Sequence, residues 1–237
     1  MNRYKPSCDE EKQFLEQYNP GDFSPVAVTV DAVIFGITRN SRENYRKLEE
    51  QDVKILLVKR AEYPYKGYYA LPGGFVLKDE TLEDSLRRTL KKKTGLEDVY
   101  SEQLYTFSDV NRDPRMRIMS CAYLALLDTN KAVISEAQWY NLEEIKDLPI
   151  AFDHYMIITE AMKRLRGKIN YTDIVFHMMP EEFTISELQS VYEKILGSKL
   201  LAAAFRRNIA DKIEDTGKMT DNVGHRPSRI FRYKKIN

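Results

Sequence analysis

Cysteine, histidine and long apolar runs are all scarce in this chain, and each scarcity removes a class of protein. Among 237 residues there are two cysteines, Cys8 and Cys121, and three histidines, too few for a disulfide framework or a cysteine-rich zinc site. Cys121 sits in an apolar, strand-like run and reads as a core thiol. No stretch approaches the roughly 20 consecutive apolar residues that a membrane span needs, and the segment from Met1 to Glu11 has no apolar signal core. A cytoplasmic chain without membrane partners is therefore expected.

What remains is a globular composition, 43% hydrophobic and 31% charged, in a chain long enough for one large domain or two smaller ones. The net charge of +1 conceals an asymmetry. Residues 199–237 carry ten Lys and Arg against four acids, a charge of +6, which leaves −5 on the first 198. The basic end reads either as a site for a polyanion or as a solvated tail.

Periodicity and turn chemistry divide the chain without any repeat. A short helix is expected over residues 9–18, stopped by Asn19-Pro20-Gly21-Asp22. Strands are expected over 26–37 and 54–59 with a polar excursion at 40–51 between them, then a tyrosine-rich loop at 63–69. A helix follows over about 81–93, ended by Gly95, and further strands over 104–107, 116–127 and 136–140. In the last third a helix over 153–166 is ended by Gly167, a short one occupies 173–179, and Thr184-Ile185-Ser186-Glu187 is a capping box that opens a third. Gly197-Ser198-Lys199 then turns the chain into a fourth helix over 201–211. Two helices joined by a short glycine turn are a helix-turn-helix arrangement, and strands over 212–216 and 229–233 around a basic loop would form a wing.

The stretch from Gly74 to Leu96 holds Gly74, Glu80, Arg88, Leu90, Gly95 and Leu96 at the spacing of a Nudix box and resembles it. The resemblance extends through Leu71-Pro72-Gly73-Gly74-Phe75-Val76, Arg112-Asp113-Pro114-Arg115 with Arg117, Trp139-Tyr140 and residues 148–154. Together these resemble the Nudix-related transcriptional regulators. The resemblance implies an α/β fold: an N-terminal Nudix α/β/α sandwich with a mixed sheet over residues 1–150, then a linker helix and a winged helix-turn-helix domain over 151–237. It also implies that Thr89, Lys92 and Lys93 stand where the family places metal-binding glutamates. An ammonium group offers no acceptor to a hard divalent cation, so no metal, no cofactor and no enzymatic turnover are expected. The remaining acids read as surface groups, Glu83 pairing with Arg87 and Asp84 with Arg88 at i,i+4 spacing.

The leading expectation is a ligand-responsive, DNA-binding repressor. The candidate effector residues are Asp31, Lys59, Tyr68, Gly74, Phe75 and Lys92. Asp31, inside an apolar strand, is either a structural acceptor or a ligand contact. The tyrosines of the loop are packing residues or a stacking surface. His154 and His177 read as core or interdomain groups. The candidate DNA-binding residues are Ser186, Lys199, Arg206, Arg207, Asn208, Lys212, Lys218, His225, Arg226 and Arg229, because Arg and Asn read base edges and basic wings follow phosphates. Double-stranded, palindromic operator DNA and a homodimer are the expected partners.

Loss of the box acids favours a neutral sugar as effector, and the chain resembles the L-arabinose-responsive branch; ADP-ribose, sensed by the family's regulators of NAD metabolism, is the alternative. Two other classes stay open. A Nudix hydrolase acting through Glu80 and Glu83 would release a nucleoside monophosphate in a Mg2+-dependent reaction. A protein-binding scaffold would bind no duplex even at low salt.

Overall fold

Two strands that are apolar on both faces form the centre of the molecule, and everything else is layered on them. The computed structural model describes residues 8–19, 21, 24–40, 50–97, 99–220 and 227–234. Strand β1 (Ala27–Asn40) pairs in parallel with β6 (Ile118–Asp128) along eleven residues from Ala27↔Ile118 to Ile37↔Asp128. Residues 30–37 and nearly all of β6 are buried, as befits strands covered on both sides. The sheet extends on one side through β2 (Glu50–Lys59) to β3 (Tyr69–Ala70), and on the other through β5 (Tyr100–Phe107). Strand β4 (Gly73–Phe75) adds to β1, and β7 (Gln138–Asn141) to β2.

One face of this mixed sheet is covered by α2 (Leu82–Thr94), whose Leu86 and Leu90 join Val30, Ala32, Ile34, Leu56, Tyr123 and Ala125. Thr81 caps α2 in a reciprocal box with Asp84, and Gly95 closes it in the left-handed region at φ 70°. The opposite face is covered by α3 (His154–Lys168) through Ile157, Ile158, Ala161 and Leu165. Gly167 does not end α3 as expected; the helix continues to Lys168, and the N–H of Ile169 still bonds the Leu165 carbonyl. Residue Gly167 faces open space, so the absent side chain costs the helix no packing. The expected short helix at 173–179 is a single 3-10 turn at Ile174–His177.

The C-terminal part consists of α4 (Ile185–Leu196), α5 (Ala202–Ile209) and the antiparallel pair β8 (Ile213–Met219) and β9 (Arg229–Tyr233). Thr184 and Glu187 form the expected capping box of α4, and Gly197 ends it at φ 71°. Strand β9 also bonds back to the approach of α4 through Phe183↔Phe231. This unit does not stand apart from the sheet. Phe183, Leu188, Val191, Ile195, Phe205 and Ile209 belong to the same buried cluster as Phe35, Ile55, Leu57 and Leu165. The Lys194–Asp52 ion pair and the stacking of His177 on Tyr100 at 4.2 Å cross the seam. A cleft of about 1060 Å³ opens along that seam between Tyr100, Leu126, Asp128 and Lys131 on one side and Phe176, Pro180, Arg232 and Tyr233 on the other. No helix among the described residues is long and apolar enough to cross a membrane.

Because the apolar cluster is continuous, the two parts are expected to unfold together. Urea unfolding followed by fluorescence of Trp139, the single tryptophan and a β7 residue, should coincide with unfolding followed by far-UV circular dichroism. Two separated transitions would contradict a shared core.

Candidate functional site

The site is assembled where β4 crosses close to β1. A Cβ at Gly73 would lie 2.2 Å from Asp31 Oδ1 and 2.6 Å from the Val30 carbonyl oxygen, so only glycine allows this approach. Behind it Asp31 is buried and accepts a hydrogen bond from Ser120 Oγ at 2.5 Å, which answers its need for a partner inside an apolar strand. Arg112 Nη2 lies 3.7 Å from Asp31 Oδ2, and the Arg112 side chain is only 4% exposed. Its main partner is Asp153, which accepts from Nε at 2.8 Å and from Nη2 at 2.7 Å in a two-pronged pair.

His154, the next residue, is buried. Its Nδ1 accepts from the Leu71 N–H at 3.0 Å and its Nε2 faces Asp31 Oδ1 at 3.8 Å. Burial lowers the pKa of this imidazole against the raising influence of Asp31 and Asp153. The ring is thus neutral, with its proton on Nε2 turned to Asp31. Four separate pieces of chain meet in this network: β1, the β5–β6 loop, the approach to β4, and the head of α3.

Next to it aromatic and guanidinium groups gather around Phe152. The Arg60 guanidinium lies 4.8 Å from the Phe152 ring centre, and that of Arg115 lies 5.8 Å from the same centre and 5.5 Å from Phe75, within cation–π range. Tyr65 meets the Phe152 ring at 4.8 Å and Tyr68 at 5.6 Å. Phe152 and Tyr65 have φ of 56° and 62°, a left-handed conformation that bulky residues seldom adopt outside functional sites. Arg115 is held by Asp113 through contacts of 3.0 and 2.8 Å. The Arg60 side chain donates to the Pro64 carbonyl at 2.8 Å. Burial, then repulsion from Arg115, lowers its pKa. An anion lying between the two guanidiniums would relieve that repulsion.

The box helix carries a different arrangement from the one its spacing suggests. Glu80 is not a solvated acid: it receives Arg88 at 2.6 and 2.8 Å and the Leu77 N–H at 3.1 Å. Arg88 also donates to the Phe75 carbonyl at 3.0 Å, tying α2 to β4. Asp84 pairs with Arg87 at i,i+3 rather than with Arg88, and is occupied by the cap at Thr81; Glu83 approaches Tyr123 Oη at 3.4 Å instead of Arg87. The Glu80–Arg88 pair wins because it closes the loop before the helix with two parallel bonds, which an exposed i,i+4 pair cannot match. Thr89 is buried, and Lys93, 15% exposed, pairs with Glu136 at 2.8 Å. These donors do not fit a hard divalent cation, and among the described residues no group of three or more His, Cys, Asp or Glu is arranged to hold a metal.

The six candidate effector residues thus fall into separate surroundings. Phe75 and Tyr68 join the cluster around Phe152, Gly74 lies in β4 against Val30, and Asp31 is the buried acceptor behind Gly73. Lys59 is exposed and lies 6.0 Å from the Tyr69 ring. Lys92 lies on the outer side of α2, in a depression of about 440 Å³ with Asp84, Arg87, Arg88, Lys91 and Glu97. Sequence reasoning did not select Arg112, Arg115, Phe152 or Asp153 as site residues, although the segments 112–115 and 148–154 that carry them stood out.

On the C-terminal part, Arg206, Arg207 and Asn208 are exposed on α5 and Ser186 on the first turn of α4. The other basic candidates are held by acids: Lys199 by Glu193, Lys212 by Asp173, Lys218 by Glu182 and Arg229 by Asp215. His225 and Arg226 lie outside the described residues.

A Nudix-type sheet with its box helix, continued by α3 into a compact winged helix, defines a two-part DNA-binding regulator. The family models agree: residues 30–161 match the NUDIX domain and residues 175–233 the NrtR DNA-binding winged helix domain. The chain is 36% identical to the ADPR-responsive transcriptional repressor NtrR of Acinetobacter baylyi over 94% of its length and 88% of that protein's. Crystallised Shewanella oneidensis NrtR in complex with a 27mer DNA is 33% identical, covers 87% of this chain and 93% of its own, and superposes with a TM-score of 0.74. The NUDIX domain of the same protein, crystallised with ADP ribose, is 34% identical over 65% of this chain and 98% of its own, with a TM-score of 0.55. The chain belongs to the NrtR family of Nudix-related regulators.

Replacing Arg112 tests how much rests on the buried network. Arg112→Ala strips Asp153 and Asp31 of their cation and is expected to destabilise the fold by about 3–5 kcal/mol, measured by urea unfolding. A loss below about 1 kcal/mol, the range of exposed ion pairs, would contradict the burial argument.

Proposed function

We propose that this chain is a repressor whose Nudix domain binds ADP-ribose and whose winged helix binds a palindromic operator as a homodimer. The observation that carries the effector is the pair of guanidiniums, Arg60 and Arg115, converging on the Phe152 ring. Two cations on an aromatic surface fit a diphosphate linked to a base or sugar face. They have no use in holding a neutral pentose, so L-arabinose, favoured by the loss of the box acids alone, gives way to ADP-ribose. The ADPR-responsive repressor of Acinetobacter baylyi and the Shewanella oneidensis NUDIX domain crystallised with ADP ribose support the same effector.

In this reading the Nudix domain senses without hydrolysing. Phe75 and Tyr68 supply stacking surface, Arg60 and Arg115 neutralise the diphosphate, and Asp31 and Gly74 shape the wall behind them. Lys59 and Lys92 lie at the margin as long-range positive charge. Residues 1–150 act as the sensing part and residues 151–237 as linker helix and reader. Dimerisation matches the two-fold symmetry of a palindromic site. Ser186, Lys199, Arg206, Arg207, Asn208, Lys212, Lys218, His225, Arg226 and Arg229 form the DNA-facing set, with α5 in the major groove. ADP-ribose releases DNA to the extent that it binds the DNA-free arrangement more tightly.

A thermal-shift series tests the effector. ADP-ribose at 100 times its dissociation constant should stabilise the chain by about 2.7 kcal/mol, raising Tm by about 5–10 °C, while L-arabinose leaves Tm unchanged. The reverse ranking would refute the assignment.

Arg60→Ala should weaken ADP-ribose about ten- to a hundredfold, through loss of a charge-assisted contact, with duplex DNA affinity unchanged. Incubation of the wild-type chain with Mg2+ and ADP-ribose should give no AMP; measurable turnover would restore the hydrolase reading.

A further inference from the structure

The turn between α4 and α5 is held more firmly than its length requires, and what it holds toward solvent is apolar. Glu193 accepts from Lys199 Nζ at 2.7 Å, from the Leu200 N–H at 3.0 Å and from Gln189 Nε2 at 2.9 Å. Gln189 Nε2 also donates to the Leu200 carbonyl at 3.1 Å. Lys199 first, then the Leu200 N–H and Gln189, hold the Glu193 carboxyl at about 2. Leu200 packs against the core, and the next residue is turned out: Leu201 is 81% exposed, and Ala202 and Ala203 are exposed after it. Leu201 occupies the N-cap position of α5 without a side-chain cap bond, where α2 and α4 each use threonine. A leucine there gives up capping and burial at once.

Phe205 and Ile209 face the core, so helical geometry puts Ala203 and Arg207 on the outward face with Arg206 beside them. The charges around this face make it selective. Lys199, Lys212, Lys218, Arg229 and Arg232 are all held by acids. Arg206 and Arg207 make no ion pair among the described residues. The outward surface of α5 is therefore one apolar turn followed by two available guanidiniums.

Resting on the reading that α5 lies in a major groove, we infer that its first turn, Leu201, Ala202 and Ala203, reads thymine 5-methyl groups beside a guanine read by Arg206 or Arg207. Side chains without donors or acceptors can recognise only an apolar base edge, and in the major groove that edge is the thymine methyl. The four residues from Ala203 to Arg207 rise about 6 Å, against about 3.4 Å per base pair. Each half-site thus carries a thymine within about two base pairs of the guanine.

The test starts by selecting tight-binding duplexes from a fully randomised library with the full-length chain at fixed salt. Thymines near the conserved guanine are then replaced by uracil, which removes only the methyl group. One such replacement in a single half-site should weaken binding about three- to fivefold, the worth of one buried methyl. Leu201→Ser, at an exposed position where serine is also a good cap, should bind the uracil duplex as the wild type does and lose its preference for thymine. Equal binding of thymine and uracil duplexes by the wild-type chain would overturn the inference and leave the DNA-binding function standing. Failure to enrich any sequence would overturn both.

Discussion

The pairing of Arg112 with Asp153 is the contact on which the sensing half and the reading half jointly depend. It joins the β5–β6 loop to the residue that precedes α3, away from water, with contacts of 2.8 and 2.7 Å. A buried ion pair adds little net stability over an apolar pair, but it is unforgiving of geometry, because either charge left alone is strongly unfavourable. That intolerance is useful here. His154 follows directly and holds the Leu71 N–H, so the head of α3 and the approach to β4 cannot move independently. At the far end of the same helix, Arg166 donates to the Ile195 carbonyl of α4 at 2.8 Å. One fifteen-residue helix therefore has one end in the candidate effector site and the other against the winged helix.

The box helix shows which positions of the motif hold its shape. Gly74, Glu80, Arg88 and Gly95 serve structure: Glu80 and Arg88 close the loop onto Phe75, and Gly95 ends the helix. Those constraints act on backbone geometry and persist whatever the site binds. Of the three positions where the box spacing calls for acids, Thr89 is buried in the helix and Lys92 is exposed on its outer side. Lys93 has even become structural, reaching Glu136 near the start of β7. The two guanidiniums that converge on Phe152, those of Arg60 and Arg115, lie on loops outside the box.

The fold was legible because its signals are local. Alternating and continuous apolar runs marked β1 and β6, Thr81 and Thr184 marked helix starts, and Gly95 and Gly197 marked helix ends. The failures have a common physical cause. Gly167 is a helix stop only when the chain needs the left-handed region there, and the continuing bond from Ile169 to Leu165 removes that need. Glu83 and Asp84 were assigned partners by helical spacing, whereas Glu80, eight residues from Arg88, won by loop closure. The candidate effector site was the least legible part. Arg60, Arg115 and Phe152 lie far apart in sequence and meet only through tertiary folding, and no periodicity encodes that meeting.

The distribution of charge on the winged helix divides its tasks. A basic C-terminal segment suggests a surface that grips phosphates indiscriminately, yet five of its ten cations are already partnered, by Asp173, Glu182, Glu193, Asp215 and Glu214. Each such pair must be broken or shared before the cation can take a phosphate, which lowers the non-specific part of the affinity more than the base-reading part. Among the described residues Arg206 and Arg207 of α5 make no ion pair, and they stand beside an apolar turn fixed by Glu193. A reader of this kind gains little from DNA in general and more from the right sequence. That is the balance a repressor needs if a few kcal/mol of differential effector binding, acting through α3, are to release it.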